Sequence, residues 1–202
     1  MNDYLDTNQQ LWNAWTPLHE TSEFYDLPGF KAGKNSILPI EHAKLTDVAG
    51  RSLLHLQCHF GLDTLSWARK GALVTGVDFS DRSIALARSL SAELDIPATF
   101  VCSDIEHLPE VLSGQFEIVF SSYGVLPWLR DLRHWAEVIA HFLAPNGIFY
   151  LVDDHPFMRT LRTNEAGELT VANPYFFSDE PSKIEARGSY AALGDEQMPL
   201  RE

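Results

Sequence analysis

The chain has 202 residues, 45% of them hydrophobic and 21% charged, which suits one globular domain and excludes wholesale disorder. Its 15 Lys and Arg stand against 28 Asp and Glu, a net charge of −13, so a basic face for a nucleic-acid backbone is not expected. Two cysteines make no disulfide framework, no apolar stretch approaches membrane-spanning length, and MNDYLDTNQQ, without a basic start and an apolar run, is not expected to act as a leader. The expectation is a soluble, cytoplasmic protein with no membrane contact.

Taken in order, Tyr4 to Trp15 reads as a helix with Leu11, Trp12 and Trp15 facing inward, and Ser36 as the cap of a second helix near Ile40. The segment Phe24 to Phe30 between them is aromatic and turn-rich. Short apolar runs then alternate with amphipathic stretches, the pattern of a parallel sheet covered by helices. Strands are predicted at Ser52–Gln57, Ala72–Val77, Ala98–Val101, Phe116–Ser121 and Ile148–Asp153. Helices are predicted from Asp63 to Lys70, from Ser80 or Asp81 to Leu94, and after Asp131, where Trp135, Val138, Ile139 and Phe142 share one face. Pro145-Asn146-Gly147 should stop that last helix and turn the chain into the fifth strand. The division expected is a helical cap or lid at 1–50, an α/β core at 51–155 and a partly irregular segment at 156–202, within a single domain.

The chemistry concentrates in Leu53-Leu54-His55-Leu56-Gln57-Cys58-His59-Phe60-Gly61, followed by Gly71-Ala72-Leu73-Val74-Thr75-Gly76-Val77-Asp78-Phe79-Ser80. This is a strand, a tight loop and a helix start, then a second strand ending in an acid. In a doubly wound sheet, ligands sit beyond the carboxyl ends of the strands, where an acid such as Asp78 can accept hydrogen bonds from a ribose diol. The plainer alternative is a helix-capping acid. His55, Cys58 and His59 can all ligate metals, but His55 and Cys58 fall on opposite faces of a strand and no fourth ligand is suitably spaced. No metal is expected.

These stretches resemble the nucleotide-binding core of class I S-adenosylmethionine (SAM)-dependent methyltransferases, and later segments extend the resemblance. Cys102-Ser103-Asp104-Ile105 is similar to the loop that holds adenine, Phe116 to Ser121 to the fourth strand, and Leu143-Ala144-Pro145-Asn146-Gly147 to the family's Leu-x-Pro-Gly-Gly turn. The family's first motif carries glycines where this chain has Gln57 and His59, and often an acid where it has His55; Gly61 is retained. A QCHFG loop must therefore tolerate strain or reshape the pocket. The resemblance implies a Rossmann-like three-layer αβα fold, SAM as cofactor, and methyl transfer to a small-molecule acceptor. It implies cofactor contacts from Gln57, Cys58, His59, Gly61, Asp78, Phe79, Ser80, Asp104, Ile105 and Ser121. Asp104 can equally cap its loop, and Ser121, Ser122 and Tyr123 can simply satisfy turn backbone.

A sulfonium methyl is already activated, so the enzyme must mainly align the partners and remove a proton from the acceptor where one is present. His155, just after the fifth strand, is the first candidate base; Tyr123 and His19 follow. Trp12 through Phe30 is expected to form a lid over cofactor and acceptor. Two alternatives stand beside this reading. A nicotinamide-dependent oxidoreductase would share the acid but needs a G-x-G-x-x-G loop that is missing here; a non-catalytic SAM-fold binding protein would suit the lost glycines. The family's sheet has seven strands, with a helix and an antiparallel pair after strand five. The residues after Asp153 hold no convincing helix of ordinary length, only short apolar runs at Leu169-Thr170-Val171 and Tyr175-Phe176-Phe177. Five parallel strands are therefore expected, without the usual final helix and antiparallel strands, and with an under-covered edge open to homodimerisation.

Overall fold

The computed structural model describes residues 3–164, 166–176 and 188–191. Three helices lead in: α1 (Asp3–Glu20), α2 (Leu27–Lys31) and α3 (Pro39–Lys44). Helix α1 runs beyond the expected end at Trp15 and straight through Pro17. A proline inside a helix costs about 3 kcal/mol, so the last turn is held by what it touches and not by propensity. Contrary to the expectation from the sequence, Ser36 does not cap α3. It bonds Ser66 instead, and the Glu41 side chain caps α3 by accepting the Leu38 N–H at 2.8 Å.

The five strands β1 (Ser52–Leu56), β2 (Leu73–Asp78), β3 (Thr99–Cys102), β4 (Phe116–Ser121) and β5 (Leu143–Leu151) form one parallel sheet in the order β3-β2-β1-β4-β5. The connections are α4 (Leu62–Arg69), α5 (Asp81–Glu93), the single turn α6 (Leu108–Val111) and α7 (Leu132–Phe142). Leu53, Ile118 and Phe120 pack beneath Trp67 of α4, whereas Leu54, Leu56 and Val119 meet Trp135, Val138, Ile139 and Phe142 of α7. Helix α5 sets Ile84, Ala87 and Leu90 against Phe60 and Phe100. A parallel sheet covered on both faces explains why β1 is apolar almost throughout, and the result is the expected three-layer αβα fold. Strand order reverses at β1, which lies between β2 and β4, so the carboxyl ends of these three strands form the crevice in which such sheets bind ligands.

One junction differs from expectation. Helix α7 passes directly into β5 at Leu143, and Pro145-Asn146-Gly147 lies within the strand as a bulge, where register shifts between Phe116 and Ile118. Asn146 takes a left-handed φ of 63°, and a Cβ on Gly147 would stand 2.8 Å from the Ala144 carbonyl and 3.1 Å from that of Glu117. Beyond β5 come α8 (Pro156–Thr160) and an antiparallel hairpin of β6 (Leu161–Thr163) and β7 (Leu169–Val171). Of the two short apolar runs after Asp153, Leu169–Val171 thus forms a strand. Tyr175 and Phe176 are exposed outside any strand, and Phe177 lies outside the described residues. Among the described residues β5 has no neighbour on its outer edge.

Candidate active site

The loop after β1 alternates in hand: Gln57, His59 and Gly61 take φ of 56°, 52° and 79°. The positions of the two missing glycines thus keep a glycine-like backbone with other residues in them. The left-handed region admits a non-glycine residue at modest cost, and here tertiary bonds hold it. Cys58 N–H donates to the Val77 carbonyl at 2.8 Å, and His59 N–H donates to Asp78 Oδ2 at 2.8 Å. The Ser80 N–H donates to the other Asp78 oxygen, Oδ1, at 2.9 Å. Asp78 is buried at the carboxyl end of β2, and burial pushes its carboxyl up to about 6, against the opposing pull of the backbone donors. Gly61 has a different task from lining a cleft. A Cβ there would lie 2.7 Å from the Phe100 ring, so it lets the loop close onto the core.

Helix α1 lies across this loop and the start of α5 through one polar face. Gln9 Nε2 donates to the Phe79 carbonyl at 2.6 Å. Asn13 accepts from Ser80 Oγ and donates to Asp81, both at 2.6 Å. Thr16 and Ser83 hydroxyls lie 2.8 Å apart, and His19 Nδ1 is 2.7 Å from His59 Nε2. Spacings of four, three and three residues put all four side chains on one face of the helix. Beside them Trp12 meets Trp15, His59 and Trp128 edge-on at 5.2–5.4 Å between ring centroids, and His19 packs on Tyr25 and Tyr190. This polar stripe carried a legible spacing; the tryptophans beside it drew the sequence reading away from it.

A second polar cluster lies at the carboxyl ends of β1 and β4. His55 Nδ1 is 2.8 Å from Thr64 Oγ1, and its Nε2 is 3.2 Å from Ser122 Oγ, which in turn donates to Asp63 at 3.2 Å. Because the Ser122 proton goes to Asp63, His55 is the Nε2–H tautomer, and burial lowers its pKa to about 3. Burial raises the carboxyls of Asp63 and Glu41, and the Tyr123 hydroxyl donates to Glu41. Tyr123 itself is pushed up to about 12, by burial first and then by Glu41. Asp63 and Glu41 reach this cluster from separate segments and escaped the sequence reading.

The remaining predicted residues are distributed around this edge. Ser80 caps α5, with its Oγ accepting the Ser83 N–H at 3.1 Å. Cys58 is buried, with a thiol raised by that burial; Ser121 Oγ lies 3.4 Å from Gln57 Oε1. Asp104 accepts from the N–H and Nδ1 of His107, both at 2.9 Å, and Ile105 packs on the α7 side of the core. His155 is exposed and caps α8, its Nδ1 accepting the Phe157 N–H at 3.2 Å. No helix among the described residues is long and apolar enough to cross a membrane.

Comparison with known proteins agrees with this architecture. Residues 53–147 match a methyltransferase domain family. A ubiquinone biosynthesis O-methyltransferase of Cronobacter sakazakii is 26% identical over 147 residues, covering 71% of this chain and 57% of that protein. An uncharacterized methyltransferase of Synechocystis is 32% identical over 120 residues, covering 58% and 53% respectively. The chain thus spans about half the length of these curated relatives. A solved S-adenosylmethionine-dependent methyltransferase from Mesorhizobium loti superposes with a TM-score of 0.54 at 25% identity, covering 68% of this chain and 64% of that one. With the strand order, the alternating loop and the acid closing β2, these similarities identify residues 53–147 as a methyltransferase domain with the fold of the class I SAM-dependent superfamily.

Proposed function

We propose that this chain is a SAM-dependent methyltransferase acting on a small molecule, with the cofactor held beyond β1, β2 and β3. The observation that carries the proposal is the state of Asp78. A carboxylate offers about four lone-pair sites, and the backbone N–H groups of His59, Ser80 and Phe79 take three of them, leaving one to accept from a ribose hydroxyl. With a pKa near 6 it is mostly ionised at neutral pH, as an acceptor must be. These residues fit the cofactor. Gln57, Cys58, His59 and Gly61 supply the loop, Phe79 and Ser80 the start of the next helix, and Asp104 and Ile105 the adenine side, with Ser121 between. For Asp104 to accept an adenine amino group it must share its carboxylate with His107.

When bound, SAM supplies a methyl group already activated on a sulfonium. The chain's own groups then position an acceptor and remove its proton. Tyr123, on the rim after β4, can take a proton from an acceptor hydroxyl while passing its own to Glu41, whose raised pKa makes it a receptive base. For His155 to act as the base it must release its cap, because the lone pair of the neutral ring at Nδ1 accepts the Phe157 N–H. Helix α1 and its tryptophans exclude water from the crevice. A hydroxyl-bearing acceptor suits the O-methyltransferase named among the relatives, and the net charge of −13 favours a small molecule over a phosphate backbone.

The test is calorimetry with SAM and S-adenosylhomocysteine (SAH), followed by a methyl-transfer screen over small phenols and amines. Asp78→Ala should weaken binding by about 1.5–3 kcal/mol, the worth of hydrogen bonds to a charged group. An unchanged dissociation constant would remove Asp78 from the site, and absence of SAM and SAH binding to the wild-type chain would overturn the proposal.

A further inference from the structure

We infer that His59 is a positioning residue that joins the cofactor-binding acid to a lid formed by α1. Its backbone and its side chain do different work. The N–H donates to Asp78 Oδ2, and the imidazole bridges outward to His19 of α1 on one nitrogen and to Ser83 of α5 on the other, at 2.7 and 2.9 Å. A glycine, the residue that the resemblance places here, could make the first contact and neither of the others.

The proton order along this chain of bonds is fixed by its ends. Thr16 Oγ1 donates to the Trp12 carbonyl at 2.9 Å, so it accepts from Ser83 Oγ at 2.8 Å. Ser83 then accepts from His59 Nδ1–H, which leaves His59 Nε2 to accept from His19 Nδ1–H. His19 Nε2 accepts in turn from the hydroxyl of Ser189. Every donor is used once, and both imidazoles are neutral. Burial supports that state: it lowers His19 to about 4 and His59 well below its ordinary value, and the neighbouring His19 ring further disfavours charge on His59. The titratable groups around the pair are Tyr25 and Tyr190, both raised by burial, and Asp78 behind the loop.

The consequence is mechanical. Helix α1 crosses residues 79–83, so a cofactor entering beside Asp78 must pass its polar face. Opening α1 breaks the His19–His59 bond, which is one bond removed from the Asp78 carboxylate; a ligand that fixes Asp78 also fixes the His59 backbone and hence the receptor for His19. Lid closure and cofactor retention are thereby coupled through one residue. This inference rests on the cofactor site proposed above.

The test compares wild type with His59→Gly, His19→Ala and His19→Gln. His59→Gly keeps the left-handed backbone and the bond to Asp78 while removing the imidazole. In the apoprotein, hydrogen exchange across residues 9–19 should quicken about five- to tenfold in His59→Gly and His19→Ala, the worth of one buried hydrogen bond. Exchange in β1 and β4 should hold at the wild-type rate. His19→Gln, which keeps a donor, should lie closer to wild type. SAH dissociation should quicken in the same order. Exchange in α1 that is unchanged, or that rises only in step with the whole protein, would overturn the inference. So would SAH release as slow from His59→Gly as from wild type. If even wild type fails to bind SAH, the cofactor reading falls, while the apoprotein exchange still decides whether His59 holds α1.

Discussion

At the scale of single residues, the loop after β1 shows how a motif survives the loss of its letters. What its positions demand is positive φ, and Gln57 and His59 meet that demand. Gly61 answers to two constraints, a φ of 79° and a Cβ position 2.7 Å from Phe100, which faces the core and not the crevice. Gly61→Val should therefore destabilise the fold by roughly 2–4 kcal/mol as well as harm cofactor binding, combining backbone strain with overpacking. In urea unfolding, adding Phe100→Leu should recover the overpacking share and leave the strain. Purely additive single and double variants would show that the ring is not the obstacle.

Buried histidines set the acid side of stability. His55 in the fold titrates near 3, against an ordinary 6.5, so between those values the unfolded chain takes up a proton that the folded one refuses. Its contribution is complete above pH 6.5 and is lost as pH falls. Asp78, raised to about 6, acts in the opposite sense, since the folded chain there takes up its proton first. His55→Gln should lower stability at pH 7, because Thr64 and Ser122 lose part of their partner. It should also flatten the decline from pH 6.5 to 4 by up to about 1.4 kcal/mol per pH unit. Chemical denaturation across that range reads both effects; a parallel decline in the two proteins would mean His55 is not neutral by burial.

At the scale of elements, the parts legible in the sequence were those dictated by period and capping. β1 to β4 appear within a residue of expectation, and Asp131 and Ser80 cap α7 and α5 as read. What escaped depended on tertiary contact. Nothing local shows that α1 survives Pro17, because His19 beyond it is held by His59 and Ser189. Nor does local sequence bring Glu41 and Asp63 to Tyr123, or favour Asp104 as the partner of His107 over either reading offered for it. The β5 bulge was misread for a related reason. Pro-Asn-Gly is turn chemistry, and only pairing with β4 shows that the strand is already under way. Gly147 is the keystone of that bulge, since any side chain meets two carbonyls. Gly147→Val should cost about 2 kcal/mol or more in urea unfolding, while Asn146→Gly should change little. A neutral Gly147→Val would mean that β5 can shift away from β4 freely.

At the scale of the whole molecule, the sheet ends at β5 among the described residues, and the chain surface beyond it is unusually apolar. Ile148 on β5 is exposed, and so are Phe157, Met158, Leu169, Val171, Tyr175 and Phe176 in α8, the hairpin and the segment after it. An unpaired strand edge offers a row of free backbone donors and acceptors, and apolar side chains near it add a hydrophobic reason to cover it. The net charge of −13 opposes close approach of two copies, but salt screens such repulsion within about 10 Å at 0.1 M. Self-association through the β5 side should thus strengthen with both protein concentration and ionic strength. Sedimentation velocity over a range of protein concentrations at low and high salt reads both effects, and hydrogen exchange of the β5 amides, slower at high concentration, locates the contact. Ile148→Lys and Val171→Lys should each shift the equilibrium towards monomer without altering SAH affinity, because neither lies at the carboxyl ends of β1 to β3. A monomer at every concentration, with β5 exchange unchanged, would mean that the edge is tolerated uncovered.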